Sequence, residues 1–336
     1  MPYPWQTADL PFINFILQGK EVNTGVTYHD PGHGCLRPNN MNLLFIVNPI
    51  AGKGKASAIN SIAHIEEYCT RKGIAYRIVK TEYKGHATIL ARQAVNSETK
   101  YDAVISVGGD GTLLEVANGL MGSDILLGVI PAGSGNDFAR TIGIKPAIRD
   151  ALRAIRKKKS RLIDVGRLND NFFLNVASIG FDAEIAHDIT KYRKLFPGRA
   201  AYYMAAFIKF LTYKDKEITL NIDGNKIQSK ILLVAIANGN YYGGGMKVNP
   251  NGMLDDGYFN VIVIDSVPRY KFPFHIFKFI KGDYQYLPYV KTYRCKEISI
   301  ESKDKLHINA DGEILGTTPV LFNIKPLALN IIGGYN

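Results

Sequence analysis

The segment Gly108-Gly109-Asp110-Gly111-Thr112 sets one carboxylate among three glycines, directly after the apolar stretch Ala103-Val104-Ile105. Glycine reaches φ > 0 and lets another group approach the backbone closely. Free N–H groups at a helix start attract anions, and a lone Asp beside them invites a divalent metal. The chemistry that suits this combination is the handling of a nucleotide phosphate. Two more glycine-bearing segments follow apolar runs: Asn48-Pro49-Ile50-Ala51-Gly52-Lys53-Gly54-Lys55, and Pro131-Ala132-Gly133-Ser134-Gly135-Asn136-Asp137-Phe138-Ala139-Arg140. The first is not a P-loop, because Ala56 stands where Ser or Thr is required. The other two lack the third glycine of a dinucleotide fingerprint, so a nicotinamide dehydrogenase is disfavoured. A fourth segment, Asp311-Gly312-Glu313, puts two carboxylates around one glycine. Taken alone, these residues favour a plain hairpin turn.

These segments need elements to position them. Residues 43–47, 76–79, 103–107 and 126–130 read as short buried strands, and 56–71, 88–95 and 112–121 as helices. Apolar strands alternating with helices predict a doubly wound parallel sheet covered on both faces. In such a sheet, loops at the carboxyl ends of the strands converge on one crevice. Each glycine loop alone is also explicable as a turn, but three of them at one edge point to a ligand site. After Asp164 the texture changes: turn pairs Asp223-Gly224, Asp256-Gly257 and Asp311-Gly312 separate strand-like runs at 217–222, 227–237, 258–264, 297–301 and 305–310. This predicts an antiparallel β-sandwich or barrel, interrupted by one helix at about 199–213. The expected fold class is therefore α/β plus mainly β. The expected division is a nucleotide-binding domain over 41–164, rejoined by about 320–336, and a β-rich domain over 165–319. Residues 1–40 show no periodicity and read as an appended or disordered leader ahead of Met41.

The chain has 336 residues, 46% of them hydrophobic, and a net charge of +11. This charge reads either as a solvated basic surface or as a match for an anionic partner, whether nucleotide, nucleic acid or acidic membrane, and composition does not choose between them. Three widely spaced cysteines, Cys35, Cys69 and Cys295, argue against a disulfide framework or zinc site and fit a reducing cytosol. No apolar run is long enough to span a bilayer, and no signal peptide is evident. The runs 269–281 and 191–196 interleave aromatics with Lys and Arg. They read either as helices packing their aromatics inward or as faces for an anionic membrane.

Further matches fall in order along the chain: Thr81 ahead of Lys84-Gly85-His86-Ala87, and Asn175-Val176-Ala177-Ser178-Ile179-Gly180-Phe181-Asp182. Together with the glycine loops and Asp311-Gly312-Glu313, they resemble the diacylglycerol kinase catalytic-domain family over about residues 41–336. Bacterial soluble lipid kinases, sphingosine kinases and ceramide kinases belong to it, and NAD kinases and phosphofructokinases look like distant relatives. The resemblance implies an ATP- and Mg²⁺-dependent transfer of phosphate to a lipid hydroxyl, with diacylglycerol as the expected acceptor. A sphingoid base, another small alcohol or a non-catalytic binding role are the alternatives.

By the same resemblance, ATP lies on Asn48, Pro49, Ile50, Ala51, Gly52, Lys53, Thr81, Gly109, Asp110, Gly111, Thr112, Leu113, Leu114, Glu115, Ser134, Asn136 and Asp137. Asp110 holds the catalytic Mg²⁺ through water, and Glu313 is the base with Asp311 beside it, the two carboxylates raising one pKa by repulsion as a base needs. Asp164 either joins the metal network of Asp110 or is a hinge carboxylate paired with an Arg. Asp137 and Arg140 could equally cap and pair at a helix start. A structural Mg²⁺ is expected on the Asp256 side chain with the Met253 and Tyr258 carbonyls. The implied partners are ATP and a lipid at a membrane surface rather than nucleic acid, with a cytoplasmic, peripheral location and a homodimer as a plausible assembly.

Overall fold

The computed structural model describes residues 27–29, 41–52, 57–193, 212–268, 278, 282–284 and 286–334. Lys53, the helix expected at 199–213 except its last two residues, and nearly all of the run 269–281 lie outside the described residues.

The first lobe is the expected α/β layer. Its strands are β2 (Asn42–Val47), β3 (Ala75–Lys80), β4 (Ala103–Gly108) and β5 (Leu126–Pro131), parallel in the order β3-β2-β4-β5. A short strand from the leader, β1 (Thr27–His29), adds antiparallel to the β3 edge. Every residue of β4 is buried, because helices cover both faces. On one side lie α2 (His86–Val95) and α3 (Asp110–Leu120), packed on each other; on the other, α1 (Ala58–Lys72) packs near α5 (Ile148–Lys157). Ser57 caps α1, its hydroxyl accepting from the Asn60 N–H at 3.3 Å, and Gly73 closes it in the left-handed conformation at φ 62°. A five-residue helix, α4 (Asp137–Thr141), follows β5.

The second lobe is an antiparallel sandwich of β6 (Ser160–Leu168), β7 (Asn171–Phe173), β8 (Val176–Gly180), β9 (Lys216–Ile222), β10 (Asn225–Ala237), β11 (Phe259–Asp265), β12 (Val290–Cys295), β13 (Glu297–Ser302), β14 (His307–Ala310), β15 (Glu313–Thr317) and β16 (Val320–Ile332), with α6 (Phe181–Arg193) after β8. Strand β10 serves both layers. Its first half pairs with β9, then after an irregularity between Ile231 and Leu233 its second half pairs with β8 and β11. From there both faces of β10 are buried: Val234 and Ile236 point into the sandwich, Leu233, Ala235 and Ala237 into a second core with α6 residues Phe181 and Ile185. That explains a continuous apolar run in an antiparallel strand, where one solvated face would give alternation.

Strand β16 joins the lobes. Its first half pairs with β13 and β6; after a bulge containing Leu327 at φ 48°, its end meets β5 in parallel at Ile331 opposite Leu127. All the sheet strands thereby form one connected network. Among the described residues no helix is long and apolar enough to cross a membrane.

Candidate active site

The order β3-β2-β4-β5 reverses between β2 and β4, so the crevice opens at their carboxyl ends. The glycine loops meet there. Asn48, just past β2, donates its side-chain amide to Thr112 Oγ1 at 3.0 Å and accepts from the Ile50 N–H at 3.2 Å, tying the first loop to the second. The second and third loops touch backbone to backbone: a Cβ on Gly133 would lie 2.4 Å from Gly109 Cα. No side chain fits at that contact. Of the two expected uses of glycine here, close approach is the one that Gly108 and Gly109 serve, since a Cβ would stand 2.6 Å from Thr112 Oγ1 and 3.2 Å from Gly133 Cα; none of Gly108, Gly109 and Gly111 has a positive φ. Asn136, itself at φ 53°, closes the third loop by bonding both the N–H and the carbonyl of Gly133 at 2.9 Å.

Carboxylates gather at this contact. Asp110 Oδ1 accepts from the Phe138 N–H at 3.1 Å, at the start of α4. Its Oδ2 and Asp137 Oδ2 both face Gly135, at 2.9 and 3.5 Å from where a Cβ there would stand. Asp137 accepts from Arg140 at 2.7 Å and from the Gly244 N–H at 2.7 Å, so the helix-start pairing of Asp137 with Arg140 does form. Burial raises the Asp137 pKa, and repulsion from Asp110 adds to it. Across the cleft the expected hairpin turn joins β14 to β15, with Asp311 at φ 48° and Gly312 at φ 89°. The Asp311 carboxylate accepts three backbone N–H bonds, from Leu174 at 2.7 Å, Asn175 at 3.0 Å and Val176 at 3.1 Å. Burial pushes it up to about 6, with a further push from Asp110. The expected mutual repulsion of Asp311 and Glu313 is thus replaced by burial and Asp110 acting on Asp311.

Two cavities flank this partition. One, of about 300 Å³, is lined by Asp110, Leu113, Asp137, Asp182, Asn309 and Asp311 among others. The other, of about 280 Å³, holds Asn48, Pro49, Ile50, Thr81, Gly111, Thr112, Glu115 and Glu313. Glu313 stands over the start of α3, its Oε1 3.6 Å from a Cβ position on Gly111, and its Oε2 pairs with Lys84 Nζ at 2.7 Å. Glu115 clamps the loop that carries Lys84, accepting from the N–H groups of Gly85 at 2.8 Å and Ala87 at 3.2 Å.

Other expected residues stand elsewhere. Leu114 is buried in the core of the first lobe, Ser134 is exposed at its loop tip, and neither lines either cavity. Ala51 and Gly52 continue the first loop outside both cavities, with Gly52 at φ 79°. Asp164 is fully buried, and the described partners of its side chain are backbone amides. Its carboxylate accepts from the Gly257 N–H at 2.7 Å and the Leu327 N–H at 2.8 Å, bracing the bulge of β16, while the neighbouring Arg161 pairs with Asp255 instead.

Sequence reasoning gave Lys84, Asp182 and Asn309 no role. Asp182 is 4% exposed, and burial pushes it up to about 6. Neither of its oxygens makes a well-formed hydrogen bond among the described residues, although Ser178, Tyr242 and the Ala183 N–H stand close enough to favour its charged form. The only sequence signal for it was its place in the Asn175–Asp182 match.

The two expected metal sites differ. Around Asp110 the chemistry fits a dication: four carboxylates, Asp110, Asp137, Asp182 and Asp311, line one cleft, and burial drives the last three towards protonation. Among the described residues no three His, Cys, Asp or Glu side chains form a ready-made cage. The Asp256 loop does not fit. One oxygen of Asp256 accepts from the Tyr258 N–H at 3.1 Å, and the other pairs with Arg294 at 2.9 Å. The guanidinium also lies over the Tyr258 ring at 4.1 Å, with Lys296 at 5.2 Å from the same ring. Met253 is exposed. The one side chain expected to hold a structural Mg²⁺ thus has both oxygens engaged by groups of the chain itself.

A doubly wound lobe whose glycine loops and carboxylates face a β-sandwich across a cleft defines a two-lobed phosphotransferase. The comparisons specify which. Residues 42–168 match the family described as diacylglycerol kinase catalytic domain, and 175–333 match the YegS C-terminal NAD kinase beta sandwich-like domain. A diacylglycerol kinase of Staphylococcus aureus is 32% identical over 281 residues, covering 82% of this chain and 87% of its own. A crystal structure of a candidate diacylglycerol kinase from Bacillus anthracis superposes with a TM-score of 0.73 at 27% identity, covering 89% of this chain and 99% of its own. A second from that organism gives 0.71 at 28%. The chain belongs to the diacylglycerol kinase catalytic-domain family and is an enzyme of the lipid kinase class.

Proposed function

We propose that this chain transfers the γ-phosphoryl group of ATP to the hydroxyl of a lipid at a membrane surface, with diacylglycerol as acceptor and phosphatidic acid as product. The observation that carries the reading is the partition at Asp110-Gly111 and Asp311-Gly312-Glu313, with one cavity on either side. ATP occupies the cavity of Asn48, Thr81, Thr112 and Glu115, its phosphates at the N-terminus of α3, where free N–H groups favour anions. The lipid hydroxyl enters from the other cavity, which at about 300 Å³ suits a head group and leaves acyl chains outside. Its oxygen attacks the γ-phosphorus as the bond to the β-phosphate oxygen breaks. ADP leaves, and the hydroxyl proton passes to Glu313. Asp110, with Asp137 beside it, would hold Mg²⁺, whose role when bound is to neutralise charge on the transferring group. Asp311 anchors the turn by its three amide bonds and so positions Glu313.

The test is phosphorylation of a lipid panel with labelled ATP and Mg²⁺ in mixed vesicles. Diacylglycerol should be labelled fastest, and Asp110→Asn and Glu313→Gln should each lower the rate at least about a thousandfold without lowering the melting temperature. Preferential labelling of a sphingoid base would replace the acceptor. Full activity in either variant would overturn the assigned roles.

A further inference from the structure

Lys84 bridges the two lobes at the proposed site. Its Nζ lies 2.7 Å from Glu313 Oε2, so a lysine from the nucleotide side holds the carboxylate proposed to take the lipid's proton. The backbone of its loop is fixed: besides the two Glu115 carboxylate bonds, Thr88 Oγ1 donates to the Glu115 carbonyl at 2.9 Å. The side chain itself is 78% exposed and free to swing. Among the described residues lining the 280 Å³ cavity, Lys84 is the one cation, beside Glu82, Glu115 and Glu313. The ammonium is held charged by Glu313 first and by Glu115 to a lesser degree.

A triphosphate entering this cavity meets three carboxylates and one ammonium that is already engaged. Phosphate oxygens carry more charge than a single carboxylate and form charge-assisted hydrogen bonds with lysine. We infer that Lys84 is a nucleotide-phosphate ligand that doubles as a latch on Glu313: nucleotide draws the ammonium from the carboxylate and frees Glu313 only when the phosphoryl donor is present. Without nucleotide, one oxygen of the carboxylate that would accept the lipid proton is held in the ion pair. The inference rests on the kinase reading for the nature of the ligand, and on the Lys84–Glu313 contact for the latch.

A double-substitution cycle on equilibrium nucleotide binding tests it without any reference to turnover. ADP and a non-hydrolysable ATP analogue, each with Mg²⁺, are titrated by calorimetry into the unsubstituted protein, Lys84→Met, Glu313→Gln, the double variant and Lys84→Arg, with thermal melts to verify folding. Lys84→Met should weaken the ATP analogue about tenfold or more, the scale of losing one charge-assisted bond, and Lys84→Arg should restore much of it. Glu313→Gln should tighten binding about two- to fivefold, because the ammonium no longer has to leave an exposed ion pair. In the Lys84→Met background Glu313→Gln should change nothing. If Glu313→Gln fails to tighten binding, or tightens it equally with Lys84 absent, the latch is wrong and general repulsion explains the result. If the unsubstituted protein binds no adenine nucleotide, the kinase reading falls and the latch with it.

Discussion

At the scale of single residues, the cleft is built from carboxylates kept in unfavourable surroundings. Asp182 and Asp311 both sit at about 6, against an ordinary 3.8, chiefly because burial penalises the charged form. Between those values the folded protein holds protons that the unfolded chain has released, so stability from these groups is full below 3.8 and is lost as pH rises through about 6. Each shifted group changes the unfolding free energy by up to about 1.4 kcal/mol per pH unit in that window. Urea melts at steps from pH 4 to 7 should show this decline, and Asp182→Asn should flatten its share; an unchanged slope would show that Asp182 is not shifted. The sequence displayed Asp110, Asp311 and Glu313 plainly, because each sits next to a glycine with an evident reason to be there. It did not display Asp182 or the Lys84–Glu313 contact, whose partners are brought together only by folding.

At the scale of elements, the loop entering β11 is held by a clip of Asp256, Arg294 and Tyr258. Arg294 is 51% exposed and Asp256 11%, so the clip contributes only about 1 kcal/mol. Arg294→Ala should lower stability by about that much, and EDTA should leave the melting temperature of the unsubstituted protein unchanged. A drop with EDTA that Mg²⁺ restores would return a metal to this loop. The parallel strands of the first lobe were legible because continuous apolar runs of that length, set between helices, have one reading. In the second lobe β8 and β12 were not legible. β8 contains Ala, Ser and Gly, poor strand formers that lie flat only because both faces are covered. β12 reads Val-Lys-Thr-Tyr-Arg-Cys and pairs on one side alone, with β11, so its pattern follows the exposure of an edge. Asp256-Gly257, grouped by sequence with the hairpin turns, ends the long connection between the antiparallel strands β10 and β11 instead of forming a tight turn.

At the scale of the whole molecule, β16 makes the lobes one cooperative unit. Ile331 is fully buried in the first core, while Phe322 on the same strand is fully buried in the sandwich. Calorimetry should give a single unfolding transition. Ile331→Ala, a deletion costing about 2–5 kcal/mol, should lower that whole transition instead of splitting it; two separate transitions would show that the lobes melt independently. Such coupling bears on the proposed function, because Glu313 and Asp110 belong to different lobes and must keep their separation. The sequence by itself determined the two layers, the edge of the sheet where ligands gather and the acidic residues at that edge. These follow from hydrophobic period, turn chemistry and glycine position, which act over a few residues. Tertiary structure alone decided what each charge faces: Asp164 on backbone amides, Asp256 on Arg294, and Glu313 on Lys84. A charge is satisfied by whatever stands within a few ångströms in space, and these partners are up to two hundred or more residues away along the chain.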